Sequence, residues 1–302
     1  MISRIFFNMK TIHFLFLIGS IYLSEAQTLV VLGTLQDGGS PHMGCMKSCC
    51  STQRPNDYVV SLGVIDESKH FLFDASPDIV YQTNYLQSIS HGKTLGIFLT
   101  HAHIGHYAGL IQLGKESANT EKIPVYAMPR MAYFLKNNGP WSQLIGLNNI
   151  TIQPIQNKTL VQLSPSLTVT PILVPHRDEF SETVGYLIKG KSKCVLYIPD
   201  IDKWDLWETD INELLKKVDY AFLDATFFQD GEIPRPMSEV SHPFVEESVK
   251  RFEPLARKEK NKIYFIHLNH TNPARDVNFE GRLAIEENGY NFATFGMRFS
   301  LE

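Results

Sequence analysis

Short apolar runs, each closed by a polar residue, recur along the chain at the period of strands more often than of helices. "TLVVLGT" is the first, followed by a glycine-rich loop, "QDGGSPHMG". "YVVSLGVI" and "HFLFDAS" read as strands joined by the polar turn "DESK". In "SPDIVYQTNYLQSI" the spacing of Ile79, Tyr81, Tyr85, Leu86 and Ile89 predicts a helix, with Ser76 as its cap and Pro77 at the first helical position. "TLGIFLT" reads as a buried strand, "HYAGLIQLG" as a helix, and "IPVYAMP" as a strand with a helix after it.

From Ile150 the strand pattern resumes in "TIQPI", "TLVQLS", "LTVTPILVPH", "TVGYLIKG" and "KCVLYIPD". Helix "DINELLKKV", strand "DYAFLDATFF", helix "HPFVEESVKRFEPLA" and strand "KIYFIHLNH" follow. Batches of strands followed by helices, in both halves, predict two sheets packed face to face with helices outside. No Pro/Gly/Ser linker divides the halves, so one domain is expected over residues 27–302.

The beginning of the chain reads differently. Lys10 precedes "IHFLFLIGSIYL", an apolar run shorter than the roughly twenty residues that span a bilayer. It ends in "SEA", with Ser24 and Ala26 at the small-residue positions of a cleavage site. Residues 1–26 therefore read as a secretory signal peptide, an uncleaved anchor being the alternative. The expected location is exported, periplasmic or secreted, with no stable membrane insertion after cleavage. The 302 residues are 43% hydrophobic and 20% charged, with formal net charge −4, an ordinary globular balance. That charge gives no reason to expect a polyanion, so a small-molecule substrate is expected and nucleic acid is not. The pattern carries no signal for an oligomeric state.

Unusual residues gather at strand ends. Asp74 closes "HFLFD", His101 and His103 close "GIFLTHAH", and His176 closes "ILVPH". Asp200 closes "VLYIPD", Asp224 closes "AFLD" and His267 closes "IYFIH". Polar groups placed after so many buried runs would be costly unless the strands deliver ligands to one rim. Imidazole and carboxylate suit Zn²⁺, and equally Mn²⁺ or Fe²⁺. His101 and His103 can both reach one ion from a loop, whereas His106 points from another angle and suits a second ion or an edge position.

Cysteines are unevenly used. His42, Cys45, Cys49 and Cys50 in "PHMGCMKSCC" offer the four N/S ligands of a closed zinc site. Their spacing fits a disulfide through Cys45 equally well, while an adjacent Cys49–Cys50 bridge would be strained. Cys194 lies in an alternating apolar strand and reads as a core thiol.

"THAHIGH" resembles the HxHxDH motif of the metallo-β-lactamase superfamily, and the ordered strand-end acids and histidines resemble its series of motifs. That resemblance implies an α/β fold, a four-layer αββα sandwich. It implies that Asp74 orients the histidine loop, that His101, His103, His106, His176 and His267 are ligands, and that Asp200 bridges. The blocks "DGGSPHMGC", "VPHRDEFSETVGYLI", "LYIPDIDKW", "FLDATFF" and "FIHLNHTNP" are similar to the pyrroloquinoline-quinone biosynthesis protein B family. tRNase Z and the carbon–phosphorus lyase phosphodiesterase are its cousins. The resemblance to them implies that Asp224 and His242 assist proton transfer, His242 as donor to the leaving group and Asp224 as holder of its tautomer. The cousins' cysteine-rich segment favours a separate structural Zn²⁺ at the Cys45 cluster.

One position departs from the motif: Gly105 stands where dinuclear relatives carry a metal-binding aspartate. The expectation is one Zn²⁺ (or Fe or Mn) held firmly by His101, His103, His176 and Asp200. A second ion at His106, Asp200 and His267, helped by His270, is expected to be weaker or absent. The expected function is an exported metal-dependent hydrolase acting on an ester, phosphodiester or related small substrate. The alternatives are a redox-active iron protein in the maturation of a quinone cofactor or peptide, and a non-catalytic metal-binding protein.

Overall fold

A computed structural model describes residues 27–51 and 54–302. The predicted signal peptide, 1–26, lies outside the described residues. The strands are β1 (Thr28–Gly33), β2 (Ser61–Asp66), β3 (Lys69–Phe73), β4 (Lys93–Phe98), β5 (Ile123–Ala127), β6 (Ile150–Pro154) and β7 (Val161–Ser164). They continue as β8 (Leu167–Leu173), β9 (Val184–Lys189), β10 (Cys194–Ile198), β11 (Tyr220–Asp224), β12 (Ile263–Ile266), β13 (Asn291–Phe292) and β14 (Arg298–Ser300). They form two seven-stranded mixed sheets, ordered β14-β1-β2-β3-β4-β5-β6 and β13-β12-β11-β10-β9-β8-β7.

The apolar patterning explains the layering. Strands such as Ser61–Asp66 are buried on both faces, as strands with a sheet on one side and helices on the other must be. Between the sheets lies a core of Phe73, Phe98, Tyr186, Tyr197 and Phe222, packed at ring-centroid distances such as 5.1 Å for Phe73–Phe98. Leu72, Leu86, Ile97 and Leu135 fill the outer face of the first sheet beneath helices Ile79–Ile89 and Pro129–Asn137. Leu196, Leu223, Phe252 and Phe265 do the same for the second sheet beneath Val245–Arg251. The result is the expected αββα sandwich.

Strand direction decides where the chemistry collects. β3, β4, β5 and β6 run parallel in one sheet, and β10, β11, β12 and β13 in the other. The C-terminal ends of β3, β4, β10, β11 and β12 therefore open onto one rim. β8 joins them, since it is antiparallel to β9 and β9 to β10. A crevice beyond the carboxyl ends of parallel strands is the usual ligand site of α/β sheets.

Local structure departs from the pattern in three places. The first helix starts at Ile79 with Asp78 at its N-cap, because the Ser76 hydroxyl accepts from the Asp78 N–H (3.1 Å) in the turn before it. "HYAGLIQLG" becomes one α-turn, Ile104–Tyr107, followed by the 3₁₀ segment Ala108–Leu113. Gly109 is the cause: its N–H donates to the Ala75 carbonyl, and a Cβ there would meet the Ser76 carbonyl at 2.0 Å. The short strands β13 and β14 carry too few residues for their alternation to be read, yet they close the sheets, with β14 pairing antiparallel to β1.

Candidate metal centre

Asp74 lies at the floor of the rim, fully buried. Its Oδ1 accepts from the Thr100 N–H and hydroxyl, both at 2.8 Å. Its Oδ2 accepts from His106 Nδ1–H at 2.8 Å and from the Tyr197 hydroxyl at 3.1 Å. Each hydrogen bond to a carboxylate is stronger than a neutral one, so this buried charge is well compensated. With Nδ1 committed, His106 turns Nε2 towards the rim. Asp74 (φ 70°) and His267 (φ 67°) both sit in the left-handed region, a strain that the surrounding structure must hold in place.

The next shell is built by tautomer control. Thr100 gives its hydroxyl proton to Asp74, so its oxygen accepts from His101 Nδ1–H (3.0 Å) and leaves His101 Nε2 as a lone pair. Glu179 accepts from His103 Nε2–H (3.0 Å), leaving His103 Nδ1 as a lone pair. These two nitrogens face each other at 2.8 Å, an arrangement that a cation beside them relieves. His176 Nε2 stands 3.3 Å from Asp200 Oδ1, and His101 Nε2 3.2 Å from Asp200 Oδ2. His101, His103, His176 and Asp200 thus bring four ligand atoms within 4.8 Å of one another.

A second group meets across Asp200. His106 Nε2 and His267 Nε2 lie 3.7 and 3.8 Å from Asp200 Oδ2. Asp37 completes the group, its Oδ1 3.2 Å from His106 Nε2, and these four also meet within 4.8 Å. Asp37 carries no mark of a ligand in the sequence, because it lies at the head of the glycine-rich loop and does not close an apolar run. The nearest signal is its place in the block "DGGSPHMGC" after the first strand.

Charge and burial are consistent with ion binding. Burial, reinforced by neighbouring His106, holds His101 well below its ordinary pKa, and burial likewise lowers His176 and His267. Their neutral forms are the ones that ligate. Burial opposes ionisation of Asp200, but His176, His242 and His267 around it outweigh that and keep it a carboxylate. His106 Nε2, His176 Nε2, His267 Nε2, Asp37 Oδ1 and Asp200 Oδ1 are all buried and make no hydrogen bond among the described residues. Buried polar atoms short of hydrogen bonds and gathered around Asp200 fit a metal centre, since a buried group left unsatisfied costs of order 1–3 kcal/mol.

His242 flanks this centre, with Nδ1 2.9 Å from Asp224 Oδ2 and 3.1 Å from Asp200 Oδ1. Burial disfavours its protonated form, yet the carboxylates of Asp224 and Asp200 raise it to about 10. It lines a cavity of about 440 Å³ together with Arg177, Arg235 and His270. A larger cavity, about 840 Å³, is lined by Asp37, Arg54, Tyr58 and Tyr81.

The cysteine segment has a different composition from the one expected. Cys45 and Cys50 meet His270 within 4.8 Å, while His42 and Cys49 stay outside that group. The His42 ring instead stacks on His270 (4.2 Å), and the His42 backbone N–H donates to Cys50 Sγ (3.3 Å). His270, expected as a helper of the second ion, sits with the thiols, three residues beyond His267. All four cysteines are free thiols.

The beta-lactamase superfamily domain model matches residues 69–268. Coenzyme PQQ synthesis protein B of Methylorubrum extorquens (strain PA1) is 25% identical over 314 residues, covering 90% of this chain and 99% of that protein. The crystal structure of Zn²⁺-bound PqqB from Methylobacterium extorquens superposes with a TM-score of 0.76 at 23% identity, covering 90% of this chain and 99% of the other. A diphosphatase of the PhnP family gives a TM-score of 0.66 at 24% identity, covering 91% and 97%. At these identities the structural likeness is one of fold.

Proposed function

This chain belongs to the beta-lactamase superfamily, and from that membership we propose that it is a metal-dependent hydrolase of a phosphodiester or related small ester. The observation that carries the reading is the meeting of His101, His103, His176 and Asp200 within 4.8 Å, with His101 Nδ1 held by Thr100 and His103 Nε2 by Glu179. A divalent ion bound there supplies Lewis acidity and a water ionised near neutral pH. The chain's own residues do the rest. His101 and His176 would hold the ion through Nε2 and His103 through Nδ1, while Asp200 balances its charge. His242, its Nδ1 committed to Asp224, keeps Nε2 for a proton owed to the leaving group. Arg177 and Arg235 beside it favour an anionic substrate over a neutral ester. Similarity in fold to a diphosphatase supports the same class.

The test is turnover of a panel by zinc- or manganese-loaded protein: bis(p-nitrophenyl) phosphate, nucleoside diphosphates, p-nitrophenyl acetate and a chromogenic lactam. Phosphoester turnover is expected. A metal-replete protein silent on the whole panel would end the hydrolase reading.

Similarity over 90% of the chain to coenzyme PQQ synthesis protein B motivates a second reading, a redox-active iron protein in cofactor maturation. Protein purified without added metal separates the two: mostly zinc favours hydrolysis, and mostly iron favours the second. Cys45, Cys50 and His270 are assigned to a separate structural Zn²⁺. Export through residues 1–26 is also part of the proposal, and a mature N-terminus at Gln27 is its expected mark. Cofactor assembly would be expected in the cytoplasm, so export argues against the second reading.

A further inference from the structure

We infer that Asp37 supplies, from the loop after β1, the carboxylate that position 105 lacks, so that Asp37, His106, Asp200 and His267 form a second cation site sharing Asp200 with the first. The inference rests on the reading of the His101 group as a metal centre and adds a ligand from outside the histidine motif.

Three observations carry it. The first is occupancy of the same space: a Cβ built on Gly105 would meet Asp37 Oδ1 at 2.1 Å and Asp37 Cα at 2.6 Å. The Asp37 carboxylate therefore fills the volume that a side chain at 105 would enter, and the two positions exclude each other. The second is the aim of the group. Oδ1 points at His106 Nε2 (3.2 Å) and His267 Nε2 (4.0 Å), is buried, and makes no hydrogen bond among the described residues. Oδ2 is engaged separately by the Gln36 side-chain amide at 3.1 Å. The third is anchorage. The Gln36 N–H donates to the Leu268 carbonyl (3.0 Å), the Leu268 N–H to the Thr34 carbonyl (2.7 Å), and the Gly39 N–H to the Gln36 carbonyl (2.8 Å). The backbone that delivers Asp37 is thus stitched to the residue after His267.

A plain ion pair between Asp37 and a doubly protonated His106 is the competing account. It leaves His267 Nε2 buried without a hydrogen bond among the described residues, whereas a cation serves both imidazoles and both carboxylates. Two imidazoles and two carboxylates, one of them shared, suit Mn²⁺, Fe²⁺ or Zn²⁺.

The experiment is Mn²⁺ titration of the chelator-stripped full chain, read by electron paramagnetic resonance. Mn²⁺ suits imidazole and carboxylate and avoids the thiolate group. Two Mn²⁺ per chain with an exchange-coupled signal are expected for the wild type. Asp37→Asn, which keeps the shape of the side chain, should bind one uncoupled Mn²⁺, with affinity for the second reduced at least about tenfold. His103→Ala should leave one ion in the Asp37 group. Retention of the coupled pair in Asp37→Asn would overturn the inference. So would a wild-type chain that takes one Mn²⁺ and an Asp37→Asn chain that takes the same. A wild type that takes no Mn²⁺, Fe²⁺ or Zn²⁺ would overturn the metal-centre reading with it.

Discussion

Thr226 Oγ1 stands 2.8 Å from His267 Nδ1 while giving its proton to Asp224 Oδ1 at 2.7 Å, and Thr100 repeats this arrangement between Asp74 and His101. The same Asp–Thr–His relay is thus built once from each sheet. In both, a carboxylate takes the hydroxyl proton, the hydroxyl oxygen takes the imidazole Nδ1–H, and Nε2 is left as a lone pair. Thr226→Val should lower affinity for a metal at His267 about 10–100-fold, and Thr226→Ser should restore it. Competition with a chelating dye measures both, and equal affinities for Val and Ser would remove the relay from the account.

Asp74→Asn isolates charge from backbone strain, because asparagine tolerates the left-handed conformation at φ 70°. Its amide would set N–H groups against some of the four donors now facing the carboxylate. A loss of about 1–3 kcal/mol in stability is expected. Metal affinity should fall about 10–100-fold alongside it. Denaturant melts and a metal titration read the two effects, and a variant as stable and as tight as the wild type would contradict them.

His242→Gln should lower kcat on a phosphodiester about 10²–10⁴-fold with metal content unchanged. Elemental analysis beside steady-state kinetics tells a proton-transfer role from a ligand role. If rate and pH profile both survive, His242 is not the proton donor.

Removal of metal should destabilise the protein, since Asp200 and the imidazoles around it are buried and depend on one another. A ligand at a hundred times its Kd stabilises by about 2.7 kcal/mol. A melting temperature several degrees lower after chelation, restored by Zn²⁺, is the expected result, and an unchanged curve would count against a bound ion.

His270→Ala should cost one equivalent of thiolate-bound metal without changing the Mn²⁺ signal of the histidine groups. Cobalt substitution makes this visible through sulfur-to-metal charge-transfer absorption, lost in the variant if His270 is a ligand beside Cys45 and Cys50. A full cobalt–thiolate spectrum in His270→Ala would move the ligand elsewhere, with stacked His42 the first candidate.

The two-sheet architecture and most strand-end acids and histidines were legible in the chain because each depends on local order. A buried strand announces itself by a run of apolar residues, and a polar residue that closes the run is conspicuous without knowledge of any neighbour. His101, His103, His176, Asp200, Asp224 and His267 all carry that mark, and Asp74 does so at the end of β3.

Asp37, Thr226 and His270 carry no such mark, and their roles are decided by contacts between distant segments. Asp37 comes to His106 because β1 and β12 end on the same rim and the loop after β1 bonds to Leu268. Thr226 matters only because β11 and β12 lie side by side, placing its hydroxyl between Asp224 and His267. His270 reaches the cysteines by the same route, over more than two hundred residues of chain. Gly105 shows the division most plainly. As a letter it is a missing carboxylate; in three dimensions it is the open space that another loop's carboxylate fills.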